Sequence, residues 1–278
     1  MNKRTLLPVL FAALQMAAFS QAHAFSFKEF IAHKVQDSVK HEVETQASQP
    51  SAMAAAGSFE ACRDQFPKGI PLDASRFDAS LKVRALCFDS FAVLHSGKTR
   101  TPLVSVERLN AARLQDAKDE KRTNKFFEDA RLPSNERATL NDYVGSNMDR
   151  GHMAPAADMP NANAMAQSFS LANMVPQNSV NNQKIWNRLE SDVRKYASRA
   201  SGNTYVFTGP LFRVNAGELK NRVLIPSHLF KLVYNEPSGK VMAYIVENSA
   251  TARVEAPMNY SQFVQETNMP LLDTIGMR

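Results

Sequence analysis

Cysteine is nearly missing from this chain: of 278 residues only Cys62 and Cys87 carry a thiol. Two thiols so far apart lack the close spacing of a cysteine-held metal, which argues against a zinc-ribbon or zinc-finger core. They read as one disulfide closing a loop of about 25 residues, worth roughly 3 kcal/mol on a chain-entropy estimate, or else as two unpaired buried thiols. Beyond residue 24 there is no apolar run long enough to cross a bilayer, which takes about 20 residues as a helix, so no stable membrane insertion is expected. Internal repeats and long low-complexity tracts are also missing, which excludes solenoids and arrays. A large excess of charge of either sign is absent too.

The start of the chain is basic and then apolar. Lys3 and Arg4 precede the run from Leu6 to Phe19, and Ala22-His23-Ala24 has the small-x-small pattern of a cleavage site. This reads as a secretory signal over residues 1–24, cleaved after Ala24, and predicts a periplasmic or secreted protein. Residues 1–24 contain no acid, so their removal leaves 31 basic against 27 acidic residues, a net charge of +4. That balance is compatible with a polyanionic partner but selects none.

Residues 25–75 read as an N-terminal arm, rich in Ala, Ser, Gln and charge, with a helical stretch near Phe30–Val43. Residues 76–278 read as the folded domain. Ala85–Leu94 is apolar and aromatic enough for a buried strand, Ser96-Gly97-Lys98 for a turn and Leu103–Leu109 for a second strand. Residues 110–140 are polar, charged and without sustained periodicity, a length of loop that is often functional. Val180–Tyr196 reads as a helix with Ser179 as N-cap and Ile185, Leu189 and Val193 on one face. Strands are expected at Tyr205–Thr208, Val223–Ile225, Leu229–Tyr234 and Val241–Val246, and a late helix over Met258–Asn268. Strands outnumber helices without alternating with them, which points to an α+β fold with a mainly antiparallel sheet.

Three polar clusters fall close together: Asp149-Arg150-Gly151-His152, Asn173-Met-Val-Pro-Gln177, and Asn181-Asn182-Gln183 leading through Trp186 to Glu190. Hydrolysis of a phosphodiester needs a base for water, a cation against the developing charge and a clamp on the phosphate. Histidine suits the first task because its ordinary pKa lies near 6.5. A hydrated hard cation with an oxygen ligand suits the second. Arginine, through bidentate pairing with phosphate, suits the third.

At these residues the chain resembles the DNA/RNA non-specific endonuclease family. The family carries Asp-Arg-Gly-His followed by a small residue and often proline, matched by Asp149–Pro155, then Asn-x-x-Pro-Gln, matched by Asn173–Gln177. An asparagine nine residues on, a tryptophan and a Leu-Glu pair follow, matched by Asn182, Trp186, Leu189 and Glu190. Thr208-Gly209-Pro210 and Pro226-x-x-x-Phe230-Lys231 extend the likeness, which covers roughly residues 80–270. The resemblance implies the ββα-metal (His-Me finger) nuclease fold, a β-hairpin packed on a helix with the metal between.

By the same resemblance His152 is the general base, and Asn182 the direct ligand of Mg2+, with Mn2+ as a substitute ion. Glu190 positions the ion or its waters, and Asn173 supports the site through hydrogen bonds. Arg122 is the transition-state arginine, with Lys121 and Arg131 as competing assignments, and Asn181 is the ligand should the register slip by one. Arg150 either touches phosphate or braces the hairpin. Asp149, Trp186 and His228 read as structural.

The expected function is an exported Mg2+-dependent endonuclease acting on DNA and RNA without strong sequence preference. The rivals are a phosphodiesterase acting on another substrate and a non-catalytic nucleic-acid-binding or uptake protein. Relatives dimerise, so a homodimer is compatible, although no interface is located in the sequence.

Overall fold

A computed structural model describes residues 57–220 and 222–277. The expected leader, its cleavage point and most of the expected arm lie outside the described residues. The described part of that arm is packed structure: Phe59, Cys62, Phe66 and Leu72 are buried in the main core. Cys62 and Cys87 are joined as the disulfide.

The chain runs through β1 (Val83–Cys87), β2 (Phe91–Ser96), β3 (Thr101–Leu109), α1 (Ala111–Asp116), α2 (Leu140–Tyr143), β4 (Met148–His152), α3 (Ala162–Ser168) and β5 (Met174–Asn178). It continues with α4 (Asn187–Arg199), β6 (Thr204–Leu211), β7 (Glu218–Leu219), β8 (Val223–Leu224), β9 (His228–Asn235), β10 (Lys240–Glu247) and α5 (Tyr260–Thr267). Six strands form one sheet in the order β1-β2-β3-β6-β9-β10, and every pairing in it is antiparallel. β4 pairs with β5 as a separate hairpin.

The apolar run over Ala85–Leu94 is two strands rather than one. Phe88 N–H donates to the Phe91 carbonyl at 2.9 Å, and the amide of Asp89 donates to the Gln167 side chain at 2.7 Å. These bonds satisfy polar backbone that a continuous buried strand would otherwise have to pair in a ladder.

Period-two alternation builds the two faces of the sheet. On one face Val104, Val106, Tyr205, Phe207, Phe230, Leu232 and Tyr234 join the core with Phe263 of α5. On the other, Leu109, Val206, Leu229 and Val233 meet Trp186, Leu189, Val193 and Ala197. The helical turns from Ser179 through α4 therefore lie on the second face, and the β4–β5 hairpin reaches the same core through Met153 and Val175. Among the described residues no helix is long and apolar enough to cross a membrane.

The disulfide joins the turn at Glu60–Gln65 to the end of β1, so the segment before the sheet is stapled to it. The double variant Cys62→Ser/Cys87→Ser should lower the unfolding free energy by about 3 kcal/mol. Urea denaturation read by fluorescence checks this, and reductant should destabilise the parent by a like amount while leaving the double variant unmoved.

Candidate active site

The hairpin and helix meet at the Asp149 carboxylate. Ser179 Oγ donates to one of its oxygens at 2.8 Å, and Asn182 Nδ2 and Gln183 Nε2 each donate to the other at 2.8 Å. Partial burial works against the charge, but the hydrogen bonds from Asn182, Gln183 and Ser179 outweigh it and hold the carboxyl below its ordinary value. The contact also fixes the Asn182 amide: with Nδ2 turned to Asp149, its carbonyl oxygen is left as a free donor for a cation.

Ser179 is the first helical residue rather than the N-cap. The cap is Asn178, whose Oδ1 accepts from the amides of Val180 at 3.0 Å and Asn181 at 3.1 Å. An asparagine one residue earlier competes well for this role because its carbonyl reaches the first free amides without giving up the Ser179–Asp149 bond. The next turn, Asn181–Trp186, is a π-helix leading into α4.

Asn181 and Asn182 are separated clearly. Asn181 is fully buried, donating to the Glu247 carbonyl at 2.7 Å and accepting from Gln177 at 2.7 Å. Both ends of its amide are engaged in the core. Asn182 instead lines a pocket of about 280 Å³ with Arg122, His152 and Glu190.

His152 ends β4. The residue is 8 % exposed, and its ring packs edge-on against Phe169 with centroids 4.9 Å apart and has a buried Nε2 without a hydrogen-bond partner. Burial, and then the positive charge of Arg122, push its pKa down to about 3, so the ring is neutral and free to accept a proton. Asn173 fixes the turn beyond it. Asn173 Oδ1 accepts from Ser105 Oγ and from the Ala154 amide, both at 2.9 Å. Its Nδ2 donates to the carbonyls of Ala154 at 2.9 Å and Ser168 at 3.0 Å. All four capacities of this buried amide are used, and none faces the pocket.

Of the three basic residues weighed for the clamp, Arg122 lies at the pocket. Its Nε donates to Asn124 at 2.7 Å and its guanidinium sits 4.9 Å over the Phe169 ring. Arg131 is committed elsewhere, in a buried ion pair with Asp129 at 2.7 Å and over the Phe88 ring at 4.4 Å. Arg150 lies 4.1 Å over the Phe126 ring. It faces a second, adjoining concavity that shares Arg122, Asn182 and Gln183 with the first.

Behind Glu190 lies a group of buried charges that the sequence reading left out. Lys231, Glu107 and Asp158 are 1, 2 and 4 % exposed. Lys231 Nζ donates to Thr208 Oγ1 at 2.8 Å and lies 5.1 Å over the Trp186 ring, while Arg194 donates to Asp158 at 2.9 Å. Loss of solvation pushes Glu190 up to about 7, with Asp158 adding to the rise and Lys231 and Arg194 opposing it. Charged residues at inward positions of the apolar strands β3 and β9 were the available signal.

Among the described residues no three His, Cys, Asp or Glu side chains gather as a metal cage. The Asn182 carbonyl and the Glu190 carboxylate offer two hard oxygen donors on an open pocket. Such a set fits an ion that keeps much of its water, as Mg2+ does.

A family model described as DNA/RNA non-specific endonuclease matches residues 69–271. Human "Endonuclease G, mitochondrial" is 36% identical over 186 residues, 62% of this chain and 61% of that protein. "Nuclease EXOG, mitochondrial" of Xenopus laevis is 34% identical over 175 residues, 57% of this chain and 48% of that protein. "Nuclease C1" of Cunninghamella echinulata var. echinulata is 36% identical over 169 residues, 56% and 67%. The aligned region thus spans less than two thirds of the length of the first two. The crystal structure entitled "Crystal structure of the EndoG/EndoGI complex: Mechanism of EndoG inhibition" superposes with a TM-score of 0.59 at 23% identity, covering 69% of this chain and 86% of that one, and shows the same ββα-metal fold.

The expected periplasmic or secreted location is overturned by these relatives, several of which are named as mitochondrial. A basic, acid-free start followed by apolar residues is shared by more than one class of targeting segment, so it does not by itself specify export.

Gly151 stands where a side chain cannot: a Cβ there would run into Oε1 of Gln177. Gln177 in turn holds Asn181, so the strain would pass to the start of the helix. Gly151→Ala should therefore cost about 1–3 kcal/mol of stability, read from thermal or urea unfolding, whereas alanine at the exposed Gly57, with nothing near its Cβ, should cost far less.

Proposed function

The chain belongs to the DNA/RNA non-specific endonuclease family, and from that premise we propose that it is a divalent-metal-dependent endonuclease cutting phosphodiester bonds of DNA and RNA with little sequence preference. The observation that carries this reading is the single pocket of about 280 Å³ onto which Arg122, His152, Asn182 and Glu190 all open. It brings a neutral imidazole, a guanidinium and two oxygen donors to one place.

His152 takes a proton from a water that attacks phosphorus in line with the departing 3′ oxygen, leaving a 5′-phosphate on one product. The ring begins as a weak base because it is buried and, in second place, because Arg122 lies beside it. An anionic diester seated on Arg122 offsets that second contribution and raises the proton affinity of the imidazole. Arg122 meanwhile pairs with the non-bridging oxygens. Asn182, its amide held by Asp149, and Glu190 would hold the cation, Mg2+ or Mn2+ in its place. Bound there, such an ion would supply positive charge to the phosphoryl oxygens. Contacts to phosphate and sugar carry no base information directly, which accounts for weak sequence preference. Dimerisation is carried over from the family alone.

The discriminating experiment is an assay on plasmid DNA and on RNA, with and without chelator. His152→Ala should lose at least about a hundredfold in rate, and chelator should abolish cutting until a divalent ion is restored. Unchanged cutting by His152→Ala would sink the mechanism, and binding without any cutting by the parent chain would favour a nucleic-acid-binding protein instead.

The pH dependence follows from Glu190. As pH falls through about 7 its carboxylate takes up a proton and loses the charge that attracts the cation, so kcat/KM should decline on the acid side. His152 stays unprotonated there. Protons and the divalent ion compete for Glu190, so raising the ion concentration should move the acid limb to lower pH. A limb that does not respond to ion concentration would assign it to another group.

A further inference from the structure

The concavity beside the proposed cutting site is larger than the site itself, about 420 Å³, within the range that suits a small organic ligand. Its wall shares Arg122, Asn182 and Gln183 with the cutting site and adds apolar and aromatic side chains that the cutting site lacks. Leu140 and Val144, at either end of α2, face solvent at 40 and 66 % exposure. Phe126 continues the apolar surface with the Arg150 guanidinium stacked on it at 4.1 Å. Tyr143, also in the wall, has a hydroxyl without a hydrogen-bond partner. Arg122 stands between this concavity and the cutting pocket and lines both.

On the far side of Arg122 the surface changes character. The next depressions carry Lys118, Arg194 and Lys195 among aliphatic side chains such as Leu114, Ala117 and Met165, with Glu120 at one edge and no aromatic side chain. With Arg194 held by Asp158, that side offers Lys118 and Lys195 to a phosphate backbone and, Arg122 apart, no aromatic or free guanidinium face for a base to stack on. The two approaches to the cutting site are therefore chemically unequal.

We infer that the concavity walled by Phe126, Leu140, Val144 and Arg150 is a nucleoside subsite. It receives the base and sugar of the nucleotide on one side only of the phosphate being cut, and it rests on the nuclease reading above. A planar base fits a guanidinium already stacked on an aromatic ring, because the three π faces continue one another. The apolar side chains of Leu140 and Val144 then lose water when the base is seated. Every base has such a face, so the subsite tightens binding without selecting sequence. The nucleotide on the other side is held through its phosphates by Lys118 and Lys195.

The test is a single-stranded DNA oligonucleotide carrying one abasic residue at its centre, digested by the full chain, with the rate at each bond resolved by length. The bonds on the two sides of the abasic residue should differ. The one that requires the missing base in the subsite should be cut about tenfold more slowly than in the intact oligonucleotide, since stacking of one base is worth about that much. Its neighbour should be cut within twofold of normal. Val144→Asp should raise KM for the intact oligonucleotide several-fold with little change in kcat and should erase the difference between the two bonds. Val144→Trp, which enlarges the flat surface, should lower KM and widen the difference. Equal cutting of both bonds by the parent chain, or an undiminished difference in Val144→Asp, would overturn the subsite while leaving the nuclease reading intact. An oligonucleotide left uncut would overturn both.

Discussion

The Asp149 carboxylate is the joint on which the site depends. One of its oxygens holds Ser179 and the other holds Asn182 and Gln183, so a strand residue fixes both where the helix starts and which way the Asn182 amide faces. Without that anchor the amide could turn its NH2 toward the pocket, presenting donors where an ion needs an oxygen. The cost of partly burying a carboxylate is met by three hydrogen bonds, and the result is an amide whose orientation is set before anything binds, as the proposed cation role of Asn182 requires.

Much of this arrangement was legible through the family resemblance, because the motifs that carry it are short-range. A histidine at the end of one strand, an amide-rich return strand and a helix bearing Asn182 and Glu190 are all short-range patterns. Their residues meet as soon as the hairpin and helix form. The split of Ala85–Leu94 into two strands was not legible, because apolarity alone does not locate a turn. What decides it is the bond from the Asp89 amide to Gln167, seventy-eight positions away in the chain. The N-cap was misplaced by one residue for a related reason: Ser179 is a good cap by type, but its hydroxyl is drawn to Asp149.

The charges behind Glu190 belong to the same class of hidden information. Glu107, Asp158, Lys231 and Arg194 come from four separate elements, and only the stacking of α4 on the sheet brings them together. Removing one member of such a group leaves its partners buried and uncompensated, which is far more damaging than its modest net contribution suggests. Lys231 is therefore better seen as the counter-charge that lets carboxylates live on the inner face of the sheet than as an isolated buried cation. The relatives share the fold that makes this stacking possible, whereas the motifs in the sequence name only the side chains in front of it.

The π turn at Asn181–Trp186 gives the helix a phase that its sequence does not display. Its rings close over five residues instead of four, so each residue within it turns the helix less than an α-helical residue would. The residues after it are set back around the axis, and it is in this shifted phase that Asn182 and Glu190 share a wall of the pocket. A change in this turn can thus act on the site without touching a motif. A lineage that lost one residue between Asn182 and Glu190, letting the turn relax to regular α geometry, would bring the carboxylate back to nearly the same direction, whereas one that kept the length but lost the π turn would keep every signature letter in place while swinging its carboxylate away from Asn182.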